Sequence, residues 1–395
     1  MVAGGITRRG TIGLTLGALS TAGLARAAVS AGIPGAASQW SAVDTAATKL
    51  IADQVTPSLS ISVLHDGRFV YSRGFGLANL ETQSSATAKW VYLIGSITKQ
   101  FTAVAVMLLA EEGKLSVDAP LSTYLPDFPR GAEITLRQML THTSGLGDVY
   151  GQPLKPGLFA RDARLDYDTD ALYRLMLSTN PPYAHAPGTV WAYNNEAFTL
   201  LGVIVERLSG QPLRRFMQER IFARAALADT AVDDTADIVP CRASGYVLEG
   251  KEPGRWKNAP FIARTFPGGA GSMRSTTEDL CRWHEALLGG KIVSASSLAQ
   301  MINPNRLKNG ALPLSAPDQG ANAPAGPVRY GFGLDLNPIG SRETVSHGGH
   351  IAGFSASLIS FPKEKLSLAL LANCYLATES ETTLRDTVIA AALRA

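Results

Sequence analysis

The sequence predicts an α/β (α+β) fold: one antiparallel sheet drawn from both chain termini and flanked by helices, with a mainly helical domain inserted between. Three observations predict it. Strand-like runs cluster near both ends of the chain, and helical periodicities fill the middle. The 395 residues, 46% of them hydrophobic, suffice for one large domain or two joined ones. The expected division gives residues 38–125 and 262–395 to the sheet domain and 126–261 to the helical domain.

Taken in order, residues 1–27 read as an export signal. Thr7-Arg8-Arg9-Gly10-Thr11-Ile12-Gly13 precedes a mildly apolar segment that ends at Ala25-Arg26-Ala27, a small-x-small cleavage pattern. The paired arginines resemble a twin-arginine signal, and Thr11 and Gly13 leave the ordinary secretory route open. The expected location is periplasmic or secreted. The segment is too short and too polar to span a membrane, so no integral span is expected in the mature chain. Cleavage after Ala27 removes Arg8, Arg9 and Arg26 and no acid, leaving 33 basic residues against 33 acidic ones. The formal +3 therefore belongs to the leader, which argues against nucleic acid as a partner.

Residues 39–53 then suit an amphipathic helix. Leu59-Ser60-Ile61-Ser62-Val63-Leu64 alternates, Asp66-Gly67 turns, and Phe69-Val70-Tyr71 returns, a β-hairpin signal. The apolar run from Phe101 to Ala110 has no Gly or Pro inside it, which predicts a buried helix stopped by Gly113. Short helices follow at 134–140, entered through Thr135, and at 170–177. A loop rich in Gly and Pro spans 147–168, and a second holds Pro181, Pro182, Pro187 and Gly188. A strong helix runs from Glu196 to Leu208 and ends at Ser209-Gly210; another covers 212–223. A helix at 277–288 carries Thr276 and Asp279 as a capping pair. After a loop at 303–327, strands are expected at 330–336, 343–346, 353–361 and 366–373, and a last helix from about Glu379. Cys241, Cys281 and Cys374 lack metal spacing and read as buried structural thiols.

Gly95-Ser96-Ile97-Thr98-Lys99-Gln100-Phe101 heads the buried helix. Ser96 and Lys99, three apart, share a face at the positive end of the helix dipole. A hydroxyl beside an amine in that field is what an activated serine nucleophile needs. Alone the signal is weak, because about one or two Ser-x-x-Lys matches arise by chance in such a length. Ser360-Phe361-Pro362-Lys363 is such a match and reads as a hairpin turn. Two further stretches supply partners. Tyr193 and Asn195, two apart, present side chains to one side; each also has an ordinary reading, as a core tyrosine and a helix N-cap. His347-Gly348-Gly349-His350 lies between two strands, where paired glycines admit a substrate close to the backbone. The two histidines are an odd number apart, so along a strand they point to opposite faces. No metal site is expected there, and the glycine patterns fit neither a phosphate loop nor a dinucleotide fingerprint.

In this order the three motifs resemble the serine β-lactamase and penicillin-binding-protein superfamily, specifically its class C β-lactamase-like branch. That branch includes D,D-carboxypeptidases, D-aminopeptidases and esterases. Leu136 to Leu146, Pro187 through Tyr193 to Gly210, and Gly268-Gly269 through Thr276 to Leu280 carry the resemblance further, over roughly residues 40–390. It implies a β-lactamase/transpeptidase-like fold. It also implies that Ser96 is the acylated nucleophile, that Lys99 and Tyr193 share the proton transfers, and that Asn195 bonds the substrate amide or Lys99. The oxyanion hole would be the backbone N–H groups of Ser96 and His350. His347, Gly348 and Gly349 would line the substrate. His142 and Ser144 would fix a turn near the site. His347 stands where many lactamases have Lys, and Gly348 lacks the hydroxyl that would bond a carboxylate. The resemblance therefore implies an exported serine hydrolase forming an acyl-enzyme with an ester or a D-amino-acid peptide. A class C-like β-lactamase is the alternative enzyme, and a penicillin-recognising binding module the alternative outside catalysis. A small-molecule or peptide substrate, no cofactor and a monomer are expected.

Overall fold

The computed structural model describes residues 39–394 except 148–149, 151–162, 179–181, 251, 323 and 325. The export-signal reading of residues 1–27 and most of the loop at 147–168 lie outside the described residues. Helix α1 (Ser41–Ala52) leads into β1 (Ser58–His65) and β2 (Arg68–Asn79), joined by the Asp66-Gly67 turn. Both turn residues have positive φ, 46° and 74°, as a tight two-residue hairpin requires. Short strands β3 (Ser84–Ser85) and β4 (Tyr92–Leu93) follow. A 3₁₀ turn at Gly95–Ile97 then runs straight into α2 (Thr98–Glu111).

The chain continues through α3 (Leu136–Leu140), α4 (Thr169–Leu177), α5 (Asn195–Ser209) and α6 (Leu213–Met217). A π-turn at Gln218–Phe222 links α6 to α7 (Ala223–Ala225) where the sequence reads as one uninterrupted helix. Next come β5 (Ala231–Val232), the hairpin β6 (Tyr246–Leu248) and β7 (Trp256–Asn258), and β8 (Met273–Ser275). Helices α8 (Thr277–Leu288) and α9 (Ala295–Met301) precede β9 (Val345–Ile351), β10 (Phe354–Phe361), β11 (Leu366–Ala372) and α10 (Thr378–Ala392).

The main sheet has six strands in the order β3-β2-β1-β11-β10-β9, with every pairing antiparallel. Its central pair, β1 with β11, joins the two ends of the chain, Leu59 opposite Ala372 and Val63 opposite Leu368. Strand alternation sorts the side chains into two cores. Leu59, Ile61, Val63, Leu368 and Leu370 face α1 and α10, whose Val43, Ala47, Leu384 and Val388 close that layer. Leu64, Ala356, Leu358, Ala369 and Leu371 face α2, α5 and α8. In the second core Phe101 stacks on Trp283 at 4.1 Å and meets Phe222 edge-on at 5.7 Å. Cutting back an aromatic so placed costs about 3–5 kcal/mol.

Several expectations are corrected. Residues 330–336 are not a strand: Tyr330 and Asp335 bridge across a tight turn, and Gly333 has φ of 66°. His347-Gly348-Gly349-His350 lies inside β9 instead of between strands. Helix α9 was not foreseen, because its seven residues carry a Ser294 cap but little apolar periodicity. The Thr276 hydroxyl caps α8 by accepting from Asp279 N–H, but the Asp279 carboxylate turns away to Asp229 and Thr230, so the capping is not reciprocal. Cys281 and Cys374 are buried thiols, whereas Cys241 is exposed, in a loop residue with φ of 55°. Ser360, of the chance Ser-x-x-Lys match, ends a strand, with its hydroxyl bound to His284 and Ser367.

Candidate active site

Helix α2 is apolar nearly all round and sinks into the core, which takes Lys99 with it: the side chain is fully buried. A buried ammonium needs a partner for each proton. Those of Lys99 Nζ include Ser96 Oγ at 3.0 Å, Asn195 Oδ1 at 2.8 Å and the Ala270 carbonyl at 2.9 Å. Its charge also lies 4.8 Å from the centroid of the Tyr193 ring and 5.6 Å from that of Phe198. The structure thus brings Ser96, Lys99, Tyr193 and Asn195 together from two separate stretches of the chain. Asn195 is not the cap of α5. The neighbouring Asn194 takes that task, accepting from Ala197 N–H at 2.6 Å, and so frees Asn195 for the lysine.

The Ala270 carbonyl gave no side-chain signal in the sequence, but the glycines before it did. A Cβ on Gly269 would lie 2.5 Å from the Phe198 carbonyl oxygen, and one on Gly202 would lie 3.2 Å from Gly269. Two bare backbones therefore touch, and the 3₁₀ turn at Gly268–Ala270 reaches Lys99. Thr102 Oγ1 secures the turn by donating to Gly269 O at 2.7 Å.

The β9 edge meets the turn that carries Ser96. A Cβ on Gly95 would lie 2.9 Å from His350 N, and one on Gly349 would lie 2.0 Å from Ile94 O and 3.2 Å from Ser96 N. Glycine at both places lets the backbones at Ser96 and His350 approach closely. They border a cleft of about 370 Å³, lined also by Asn195, Tyr150, Phe266, Ile262 and Ile351. Among the described residues its other lining is mainly apolar.

His347 is buried and engaged at both ring nitrogens. Nδ1 lies 2.5 Å from Gly348 O and Nε2 lies 2.8 Å from Tyr330 Oη. A carbonyl only accepts, so Nδ1 carries the proton and Nε2 accepts from the phenol. Burial, reinforced by the Lys99 charge, pushes the imidazole down to about 4. Burial likewise holds the Tyr330 phenol well above its usual range. His350, on the other face of the strand, is exposed, 4.7 Å from the Tyr375 ring and 3.7 Å from Glu381 Oε2. Sequence reasoning missed Tyr330, although the Tyr330-Gly331-Phe332-Gly333 spacing was visible. A Cβ on Gly333 would lie 2.7 Å from Lys99 O, so glycine there lets the segment cross close under α2.

Comparisons with known proteins follow the same geometry. The profile of the family described as Beta-lactamase matches residues 43–393. Penicillin-binding protein 4* of Bacillus subtilis (strain 168) is 28% identical over 328 residues, covering 80% of this chain and 68% of that protein. A D-aminopeptidase of Brucella canis is 26% identical over 318 residues, covering 80% of this chain and 56% of that one. The chain thus spans 56% to 68% of the length of these curated relatives. The solved octameric penicillin-binding protein homologue from Pyrococcus abyssi superposes with a TM-score of 0.72 at 26% identity, over 88% of this chain and 76% of that one. No described helix is long and apolar enough to cross a membrane.

Proposed function

The chain belongs to the Beta-lactamase family, a family of serine hydrolases, and on that premise we propose that it hydrolyses an ester or a D-amino-acid amide through an acyl-enzyme on Ser96. The observation that carries the reading is the three-way bonding of Lys99. Asn195 Oδ1 and Ala270 O can only accept, so two of the tetrahedral positions on Nζ always hold N–H bonds. Ser96 Oγ lies within hydrogen-bond distance of a further position, at 3.0 Å. In the ammonium that position is a donor; in the neutral amine it is a lone pair aimed at the serine hydroxyl. Loss of one proton from Lys99 therefore creates a base without moving an atom.

In this reading the Ser96 hydroxyl proton passes to Lys99 as Oγ attacks the carbonyl carbon. The oxyanion is held by the Ser96 and His350 amides, donors worth several kcal/mol in the transition state. Tyr193, beside the Lys99 charge, carries the proton to the leaving oxygen or nitrogen. Water then attacks the acyl-enzyme, its proton follows the same path, and Ser96 leaves with its own proton restored. Asn195 keeps Lys99 aimed throughout.

The substrate class follows from His347. With both nitrogens occupied and the ring neutral, it offers a carboxylate neither a charge nor a free donor. This supports acyl donors without a carboxylate on that side over penicillins and C-terminal D-alanyl peptides. The paired arginines near the N-terminus support export. A panel tests this reading: short-chain p-nitrophenyl esters and D-alanine p-nitroanilide against nitrocefin and a D-alanyl-D-alanine peptide. Turnover of the first pair supports it. Faster turnover of nitrocefin would establish the lactamase alternative, and tight penicillin binding without turnover of any substrate the binding module.

A further inference from the structure

The turn from Thr141 to Leu146 is absorbed by neither the nucleophile side nor the strand side of the site. Its backbone acts as a template for the segment that carries Tyr193. Thr143 O accepts from Gly188 N–H at 2.8 Å, and Gly145 O from Ala184 N–H at 2.9 Å. The Asn194 side-chain amide returns to Leu146 O and Gly147 O at 3.0 and 2.8 Å. One residue of the turn holds the chain immediately on either side of Tyr193. His142 O accepts from Ala192 N–H at 2.8 Å, and His142 Nδ1 accepts from Asn194 N–H at 3.1 Å.

We propose that His142 is a positioning residue for Tyr193, gripping the backbone before and after it so that the phenol stays over Lys99. The inference rests on the reading of Tyr193 as a proton carrier. Three further observations support it. The His142 ring packs 4.4 Å from the Tyr193 ring, and Trp191, Phe198 and Tyr330 enclose it at 5.8, 5.1 and 4.8 Å. The residue is held at φ of 56°, a left-handed conformation that costs a non-glycine residue about 1 kcal/mol or more. Its Nε2, which must bear the proton because Nδ1 accepts, is buried without a hydrogen-bond partner. Backbone strain and an unmet N–H are tolerated together at a residue that brackets Tyr193. Burial and the Lys99 charge hold the imidazole well below its usual range, so the Nδ1 lone pair stays available.

Two variants separate the grip from the bulk of the ring. His142→Gly accepts the left-handed backbone and deletes the Nδ1 acceptor. His142→Asn also tolerates that conformation and offers Oδ1 to Asn194 N–H. Each is measured alone and with Tyr193→Phe, by fluorophosphonate labelling of Ser96 and by kcat and KM on p-nitrophenyl acetate. His142→Gly is expected to lower kcat and the labelling rate about 10- to 100-fold, the scale of a displaced reacting group, with KM changed less than about threefold. His142→Asn should recover most of that loss. Combined with Tyr193→Phe, His142→Gly should cost less than about twofold more, because the residue it acts through is already disabled. Equal losses in both backgrounds, or His142→Asn as slow as His142→Gly, would overturn the inference while leaving the hydrolase reading intact. A wild-type protein that takes no label would overturn both.

Discussion

Replacing Tyr330 by Phe removes one oxygen atom and with it the donor to His347 Nε2. Both residues are buried, 4% and 7% exposed, so water does not restore the bond. The ring of Phe fills the same space, and the cost is therefore the lost hydrogen bond plus a stranded acceptor, about 1–3 kcal/mol. The phenol can also accept from a protonated Nε2, so this bond fixes the tautomer without setting the charge; burial and the Lys99 charge hold the imidazole down to about 4. Tyr330→Phe should therefore leave His347 neutral at pH 6, and the ratio of kcat/KM for a D-alanyl-D-alanine peptide over its C-terminal amide should change less than about threefold. Urea unfolding measures the stability change and histidine NMR the titration. Stability within about 0.5 kcal/mol of wild type would refute the cost assigned to the lost bond, and a His347 titration raised toward pH 6 would refute the claim that burial and the Lys99 charge keep this histidine neutral and closed to carboxylates.

Two other outcomes are expected. His142, His284 and His347 are buried and neutral, His284 pushed down to about 3 and His347 to about 4 by burial, and His142 well down for the same reason. Each binds fewer protons folded than unfolded. Its stabilisation is complete above about pH 6.5 and is lost at roughly 1.4 kcal/mol per unit as pH falls toward the folded value. Asp279 and Asp335, both raised by burial, offset part of this as they protonate. The urea midpoint should fall steadily from pH 7 to pH 5, and a flat profile would contradict the neutral assignments. Gly269→Ala drives a Cβ to 2.5 Å from Phe198 O, so α5 and the Gly268–Ala270 turn must part and Lys99 loses its hold on Ala270 O. Calorimetry should show a loss of about 1–3 kcal/mol and kinetics a kcat at least about tenfold lower; full activity would show that the Ala270 carbonyl is dispensable.

The parts of the molecule legible in the sequence were those written in local patterns. Alternation in Leu59–Leu64, the Asp66-Gly67 turn and the unbroken apolar run after Lys99 fix their elements by short-range physics, and each stands where the pattern puts it. The site's side-chain chemistry was legible because Ser96, Lys99, Tyr193 and Asn195 each carry a functional group at a recognisable spacing. Backbone chemistry was not. The Ala270 carbonyl matters to Lys99, yet any residue has a carbonyl; only the glycines that let it approach leave a trace. Tyr330 was assigned to a strand because Tyr330–Leu336 alternates, while its place is set by contacts with His347, seventeen positions on. Asn194 and Asn195 differ in role for a reason the sequence cannot show: the backbone turns into α5 at Asn194, with φ of −143°, so one amide caps and its neighbour points into the site.

The central claim is that Ser96 forms the covalent intermediate while Lys99 serves it. Intact-mass spectrometry after brief exposure to a fluorophosphonate, followed by peptide mapping, tests it most directly. The account predicts a single adduct on the peptide containing Ser96, absent in Ser96→Ala and formed at least about 100-fold more slowly in Lys99→Met. An adduct that persists in Ser96→Ala, or maps to another residue, would contradict it.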